Sequence, residues 1–458
     1  MNEIEHIDLG QVSLADGTLS DHLYLFVGSE RSFLLSSNGL SLVISNDFVA
    51  ELTDGHPSDA LSRKMVLKGM TSGFRKYNVR APGNYLPCFF MIDFSTVCNL
   101  NCIYCLRELH SSGSIITEEE LMPILNWLRD YYFDNGLKVI NIQPWGGEPM
   151  LSLPLIYRMD DYFRDSGINA NITIQTNGTI MNESILNELI RRNIHFGISI
   201  DGCRRVQDIQ RPAMDSSGTF DAISENIRLI RSKMDHLSTI SVNTKEGLNS
   251  ISESLDELAG LGVTCVKFNL MHPNSSTGAG LVLTEDDIST LINKLVEGLI
   301  RINKRGVRMF DANIRDKILN LCTGSCGELC HSDGCTGGYT FVTINRHGDI
   351  YPCELVGNES LRIGSIFSDE GLVEQISRSI GTNPYFSEKR SASCEGCPWH
   401  TFCRGGCTAS VISYCRGADQ IDEKECAINR ILYPKLVDLI LNHPDEIAGL
   451  TGSAIQLL

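Results

Sequence analysis

The stretch "CNLNCIYC" sets three cysteines, Cys98, Cys102 and Cys105, at intervals of four and three residues. An iron-sulfur cube takes one thiolate per iron, so a loop this tight can wrap three corners and leave the fourth iron open. An open iron can hold a small molecule through an amine and a carboxylate, as template and electron donor together. A closed four-thiolate site only transfers electrons or holds structure. Zinc is the competing use of clustered thiols, but the run follows a predicted strand directly, and no histidine comes near enough to complete a tetrahedral site until His110.

A second cysteine group lies far downstream. Cys335, Gly348 and Cys353 give C-x12-G-x4-C, Cys394, Cys397, Cys403 and Cys407 give C-x2-C-x5-C-x3-C, and Cys426 follows after 18 residues. Eleven of the seventeen cysteines fall between Cys322 and Cys426. Pairs with x2 spacing suit zinc as well as iron, and iron content with visible absorption separates the two.

These residues need elements to hold them. From Phe89 onward, apolar β-rich runs alternate with amphipathic helical stretches, the pattern of a parallel sheet with covering helices. The predicted strands are 89–95, 138–146, 171–177, 195–201, 238–244 and 265–271. Six such units close into a barrel or most of one, with working residues at the carboxyl ends of the strands. Glu148, Gln175, Thr176, Asn177, Ser199, Asp201, Asn243 and His272 stand at those ends. Before them, residues 21–48 read as short strands broken by turns at Gly28–Arg31 and Ser36–Gly39, with a helix across Asp59–Met70. A further helix spans Glu285–Lys304, after which the alternation stops and cysteine density rises.

Composition narrows the function classes. The 458 residues allow two to four domains, and a net charge of −17 disfavours nonspecific binding to nucleic acid or an anionic membrane. A basic or neutral peptide is the more natural partner. "MNEIEHIDLG" has neither a basic start nor an apolar run, and no stretch approaches the roughly 18 apolar residues of a span, so a cytoplasmic protein with reduced, metal-ligating thiols is expected.

"CNLNCIYC" at the end of the first barrel strand resembles the CxxxCxxC loop of radical S-adenosylmethionine (SAM) enzymes. "GGEP" (146–149) resembles the family's glycine-rich motif, which implies that Gly146, Gly147 and Glu148 hold the SAM amino group, the glycines by close backbone approach. "QTNGT" and "SIDG" resemble strand ends that contact SAM, implicating Thr176, Asn177, Ser199 and Asp201. Arg211 resembles the arginine that reaches the SAM carboxylate, although Gln207 and Asp208 stand where the family usually has a His-Asp pair. Tyr104 would lie against the adenine.

The downstream cysteines resemble the SPASM extension of these enzymes, which holds two auxiliary 4Fe-4S clusters. That implies one cluster on Cys335, Cys353, Cys407 and an upstream cysteine, for which Cys330, Cys326 and Cys322 compete, Cys330 first. The other takes Cys394, Cys397, Cys403 and Cys426. Cys88, Cys203 and Cys265 are expected as small buried residues, and Cys415 is unassigned. The fold implied is α/β: a partial (β/α)6 TIM-type barrel (88–310), a small α+β amino-terminal domain (1–87), a cysteine-rich SPASM domain (311–430) and a helical tail (431–458).

The cofactors implied are SAM and three 4Fe-4S clusters, with a low-potential donor such as flavodoxin or ferredoxin. SPASM relatives mostly act on peptides, crosslinking ribosomal precursors or oxidising a sulfatase residue to formylglycine. The 97 residues before Cys98 loosely resemble a winged-helix domain that grips a leader peptide as an added strand. Sulfatase maturases carry an aspartate general base after the cysteine of the G-x4-C motif, and here Glu354 stands there. The expectation is therefore a maturase of a ribosomal precursor peptide. The alternatives are a sulfatase maturase and a noncatalytic iron-sulfur or zinc protein that binds a peptide.

Overall fold

The computed structural model describes residues 4, 6–73, 83–106, 113–272, 279–323, 330, 334–356, 358–387, 392–414 and 420–453. Near the amino terminus, β1 (His6–Gly10), β2 (Leu23–Val27), β3 (Arg31–Ser36) and β4 (Ser41–Ser45) pair in that order as an antiparallel sheet. Helices α1 (Val49–Thr53) and α2 (Asp59–Leu67) follow. Strand side chains alternate in direction. Leu23, Leu25 and Leu34 therefore meet Leu61 and Met65 of α2 in one core, while Tyr24, Phe26, Phe33 and Leu35 join the main core on the other face. Helix α2 stops short of the predicted Met70, at Leu67, because Gly69 turns left-handed at φ 75°.

The six predicted barrel strands are present: β5 (Phe89–Ser95), β6 (Ile140–Gly146), β7 (Ala170–Thr176), β8 (His195–Ser199), β9 (Ser238–Asn243) and β10 (Cys265–Leu270). Each is parallel to the next. Helices α3 (Glu118–Asp134), α4 (Leu153–Asp165), α5 (Glu183–Arg192), α6 (Arg204–Gln210), α7 (Phe220–Arg231), α8 (Ile251–Gly260) and α9 (Glu285–Lys304) separate or follow them. Their starts are written locally. Thr117 with Glu120 and Thr284 with Asp287 form reciprocal capping boxes for α3 and α9, and Asn182 caps α5. Phe90, Ile92, Phe94, Ile142, Ile174 and Ile198 fill the core between strands and helices.

Two extensions were not visible in the periodicity. A seventh parallel strand, β11 (Phe310–Asp311), adds beside β10 but is only two residues long. On the opposite edge, β12 (Phe341–Ile344) pairs in parallel with β5 and leads through β13 (Asp349–Tyr351) to β14 (Gly364–Ser365), so one sheet holds ten strands. The cysteine-rich segment is thus hydrogen-bonded to the strand that delivers the three-cysteine loop.

Helices α10 (Ala312–Cys322), α11 (Leu372–Ile380), α12 (His400–Cys403), α13 (Thr408–Tyr414), α14 (Glu423–Asn442) and α15 (Pro444–Thr451) complete the described chain. The amino-terminal sheet docks on this region. Phe26 stacks on Trp399 at 5.1 Å, Trp399 on Tyr433 at 5.0 Å, and Arg31 Nη2 donates to the Leu441 carbonyl at 3.1 Å. Among the described residues no helix is long and apolar enough to cross a membrane.

Candidate active site

The loop of Cys98, Cys102 and Cys105 leaves the carboxyl end of β5 and lies along the segment after α6. Asn101 N donates to the Pro212 carbonyl at 2.8 Å, Ile103 N to the Gln210 carbonyl at 3.0 Å, and Leu100 bridges to Ala213. Arg211 is thereby held against the loop by backbone pairing on both sides. Its guanidinium lies over the Tyr104 ring, 5.3 Å from the centroid, and its Nε is 3.0 Å from Asp201 Oδ1. Burial alone lowers an arginine's pKa, but here the charge of Asp201, with Tyr104 and Cys102, outweighs it and holds the cation firmly protonated.

Asp201 has no free valence to offer. It accepts from Tyr104 Oη at 2.6 Å, Gln210 Nε2 at 2.8 Å and Val242 N at 2.9 Å, besides pairing with Arg211. Its carboxylate orients Tyr104 and Arg211. The residues that replace the expected His-Asp pair also have visible work. Gln207 accepts from Asp201 N at 2.8 Å and donates to Thr219 Oγ1 at 2.9 Å, while Asp208 accepts from Thr219 N and Phe220 N at the start of α7.

Glu148, only 2% exposed, is the second buried carboxylate. It accepts from Thr176 Oγ1 at 2.6 Å, Asn177 N at 2.7 Å and Met150 N at 3.0 Å. Burial raises its pKa, against the pull of those donors. Asn177 Nδ2 donates to Asn99 Oδ1 at 2.8 Å, tying the β7 end into the cysteine loop, and Ser199 Oγ accepts from Gln175 Nε2 at 3.0 Å. The glycines before Glu148 serve the chain itself rather than a ligand directly. A Cβ on Gly146 would lie 2.1 Å from the Ser95 carbonyl oxygen and one on Gly147 1.9 Å from that of Val97, and Gly146 has φ 136°.

Burial raises the thiols of Cys98 and Cys102, the latter to about 12, and Cys102 feels both Cys98 and Cys105 as well as Arg211. A bound metal cation would reverse that preference.

The downstream thiols form two groups. Cys330 is exposed as a residue, yet its thiol faces Cys335, Cys353 and Cys407, and its pKa is raised first by the hydrogen bond to Cys335 and then by burial. Burial and the neighbouring thiols raise Cys353 and Cys407 as well. Cys322, its competitor, is buried in the main core, and Cys326 and Cys415 lie outside the described residues. Tyr385 Oη is 3.1 Å from Cys335 Sγ, and Glu354 Oε2 accepts from Cys353 Sγ at 3.1 Å. Cys394, Cys397, Cys403 and Cys426 line a single cavity with Trp399. Among the described residues no three His, Cys, Asp or Glu side chains converge as the shell of a single metal ion does. Of the remaining thiols, Cys203 is buried as expected, whereas Cys88 and Cys265 are half-buried.

Sequence reasoning missed Asn99, Gln207 and Gln210 as site residues. Each contributes a neutral amide that joins segments far apart in the chain, and an isolated amide carries no spacing signal.

Residues 92–258 match the family profile of the Radical SAM superfamily. An uncharacterised protein of Methanocaldococcus jannaschii is 30% identical over 56% of this chain and 81% of its own length. The cysteine-type anaerobic sulfatase-maturating enzyme of Clostridium novyi is 26% identical over 68% of this chain and 85% of its own. Among solved structures, anSMEcpe with bound AdoMet and Cp18Cys peptide superimposes with a TM-score of 0.66 at 18% identity, covering 77% of this chain and 99% of that one. Streptococcus suis SuiB bound to the precursor peptide SuiA gives 0.55 at 16% identity, covering 86% and 96%.

Proposed function

The chain belongs to the radical SAM superfamily, and we propose that it is a maturase that installs a carbon-carbon or thioether crosslink in a ribosomally made precursor peptide. It is a SAM-dependent enzyme with an iron-sulfur cluster and peptide-modifying relatives. The donor set fits that cofactor: three thiols on one tight loop, with the cation of Arg211 and the carboxylate of Glu148 beside them.

When bound and reduced, the cluster on Cys98, Cys102 and Cys105 supplies homolytic cleavage of SAM to a 5′-deoxyadenosyl radical, which takes a hydrogen atom from an unactivated carbon. The chain's own residues bind and orient. Arg211 is placed to meet a carboxylate and Glu148 an ammonium, two opposite charges that fix an amino acid end at both sides. Asp201, Gln210 and Tyr104 keep Arg211 from turning away, and Thr176, Asn177 and Ser199 complete the rim. Gly146 and Gly147 seat the second strand against the cysteine loop. Cys330, Cys335, Cys353 and Cys407 hold a first auxiliary cluster, and Cys394, Cys397, Cys403 and Cys426 a second. Glu354 takes a substrate proton when its partner thiol is engaged by metal. The donor is a low-potential flavodoxin or ferredoxin.

The observation that carries crosslinking over sulfatase oxidation is the amino-terminal sheet. Among the described residues its edge strand β1 pairs with β2 alone, which leaves the other side for an added peptide strand, and the sheet is docked through Phe26 and Trp399 beside a thiol-lined cavity. Sulfatase maturation is the second reading, favoured by relatives such as the Clostridium novyi enzyme. Co-expression with a short neighbouring precursor tests the choice. The first reading expects a peptide lighter by one pair of hydrogens per crosslink. An unmodified precursor, alongside formylglycine in a sulfatase-motif peptide, supports the second.

A further inference from the structure

One phenol hydroxyl is aimed at a thiol of the first auxiliary group. Tyr385, 4% exposed, stands on a short 3₁₀ turn, Pro384–Phe386, and its Oη lies 3.1 Å from Cys335 Sγ. Among the described residues that oxygen makes no other hydrogen bond. The turn is itself pinned. Asn383 Oδ1 accepts from Tyr385 N at 3.0 Å, and Asn383 Nδ2 donates to the Leu361 carbonyl at 2.9 Å. The ring packs in the apolar cluster of Phe341, Tyr351 and Leu361 that also holds Cys335 and Cys353. Gly337 makes room for the hydroxyl, because a Cβ there would lie 2.4 Å from Oη and 2.7 Å from the Pro352 carbonyl oxygen. Tyr385 and Glu354 both reach these sulfurs, but they respond to metal differently. Glu354 Oε2 accepts from Cys353 Sγ at 3.1 Å, a contact that needs the thiol proton. A thiolate on a metal has none, so the carboxylate is released. A phenol brings its own proton and donates it to the thiolate. The Tyr385 contact therefore survives metal binding and becomes charge-assisted.

We propose that Tyr385 donates a hydrogen bond to the Cys335 sulfur and so sets the potential at which the first auxiliary cluster accepts an electron from the peptide. The inference rests on the proposed function, which makes Cys335 a ligand of that cluster. Forming one crosslink removes two hydrogens from the peptide. The first leaves as a hydrogen atom to the 5′-deoxyadenosyl radical. As the new bond forms, the second is lost as a proton to Glu354, the base already assigned, and an electron to the cluster. That electron then passes to oxidised flavodoxin or ferredoxin. Reduction adds one negative charge, which is shared by the ligating sulfurs. A donor at sulfur stabilises that charge more than it stabilises the oxidised form, so the potential rises. Tyr385 is a positioning residue, since it acts through Cys335.

The test is a redox titration, followed by electron paramagnetic resonance, of the full chain reconstituted with iron and sulfide. Cys98, Cys102 and Cys105 are replaced by alanine to remove the SAM cluster's signal, and the first auxiliary cluster is the signal lost in Cys335→Ala. Tyr385→Phe keeps the ring and its packing but removes the donor. It lowers that cluster's equilibrium constant for reduction about tenfold, equivalent to about 59 mV for one electron, and leaves the second auxiliary cluster unchanged. After exchange into deuterated water, the reduced first cluster shows a coupled deuteron that is missing in Tyr385→Phe. A single fluorine on the Tyr385 ring, which strengthens the donor, moves the potential the opposite way. That protein decides the question where Tyr385→Phe does not assemble the cluster. A potential that neither change moves, at full iron content, overturns the proposal, because the tyrosine then only packs. Failure of the parental protein to assemble an auxiliary cluster at all is a different result, and it overturns the reading on which the proposal rests.

Discussion

The mouth of the barrel and the cysteine-rich region both gather buried polar groups, but by different means. At the mouth, opposite charges and amide donors satisfy one another. Asp201 engages Tyr104, Gln210, Val242 N and Arg211, and Glu148 engages Thr176, Asn177 N and Met150 N. Downstream, Cys335 and Cys353 sit in a small apolar cluster with Phe341, Tyr351 and Tyr385, and Cys403 and Cys407 are pushed up to about 12 by burial. One region is organised by its own charges before anything binds. The other surrounds thiols with apolar groups, and a bound cation would be needed to make them thiolates.

The largest expected effect breaks the first region. Cys98→Ala should lower 5′-deoxyadenosine formation at least about a thousandfold while circular dichroism stays unchanged, because the loop is held by backbone bonds to Gln210 and Pro212 that survive the change. Next, chelating the iron separates the regions directly. Amide exchange across 335–356 and 394–414 should accelerate at least tenfold, equivalent to about 1.4 kcal/mol, with β5 to β9 unaffected. Asp201→Asn then sharpens the contrast, since it leaves the Arg211 cation buried without a counter-charge. It should cost about 3–5 kcal/mol in urea denaturation.

A smaller effect tests the junction between the regions. Asp311 caps α10 by accepting from Ile314 N and also from Phe268 N, and burial raises it from 3.8 to about 6. A carboxyl raised on folding stabilises most when protonated. The native protein should therefore lose about 3 kcal/mol relative to Asp311→Asn as pH rises from about 4 through 6, read by denaturation at each pH. Smallest is Gly147→Ala, whose Cβ meets the Val97 carbonyl. A loss of about 1–3 kcal/mol is expected, with reduced iron at the first cluster by elemental analysis.

What was legible in the sequence follows the same division. The strands β5 to β10 were readable because apolar runs and capped helices are written locally, and the cysteine loop because its thiols lie within eight positions. The downstream thiols were readable as spacings, and the Cys330 thiol lies near those of Cys335, Cys353 and Cys407. Asn99, Gln207 and Gln210 were not readable, since each joins segments that only the fold brings together. Nor was the pairing of β12 with β5, which spans some 250 residues of chain and carries no turn signal.

The central claim is that Cys98, Cys102 and Cys105 present a cluster with one open corner to SAM. The most direct measurement is the electron paramagnetic resonance spectrum of the reconstituted, reduced full chain before and after SAM is added, with the auxiliary signals identified from Cys98→Ala. The account predicts that the signal absent from Cys98→Ala shifts on SAM addition and that 5′-deoxyadenosine follows. An assembled cluster at that loop whose spectrum does not change with SAM, and which releases no 5′-deoxyadenosine, contradicts it.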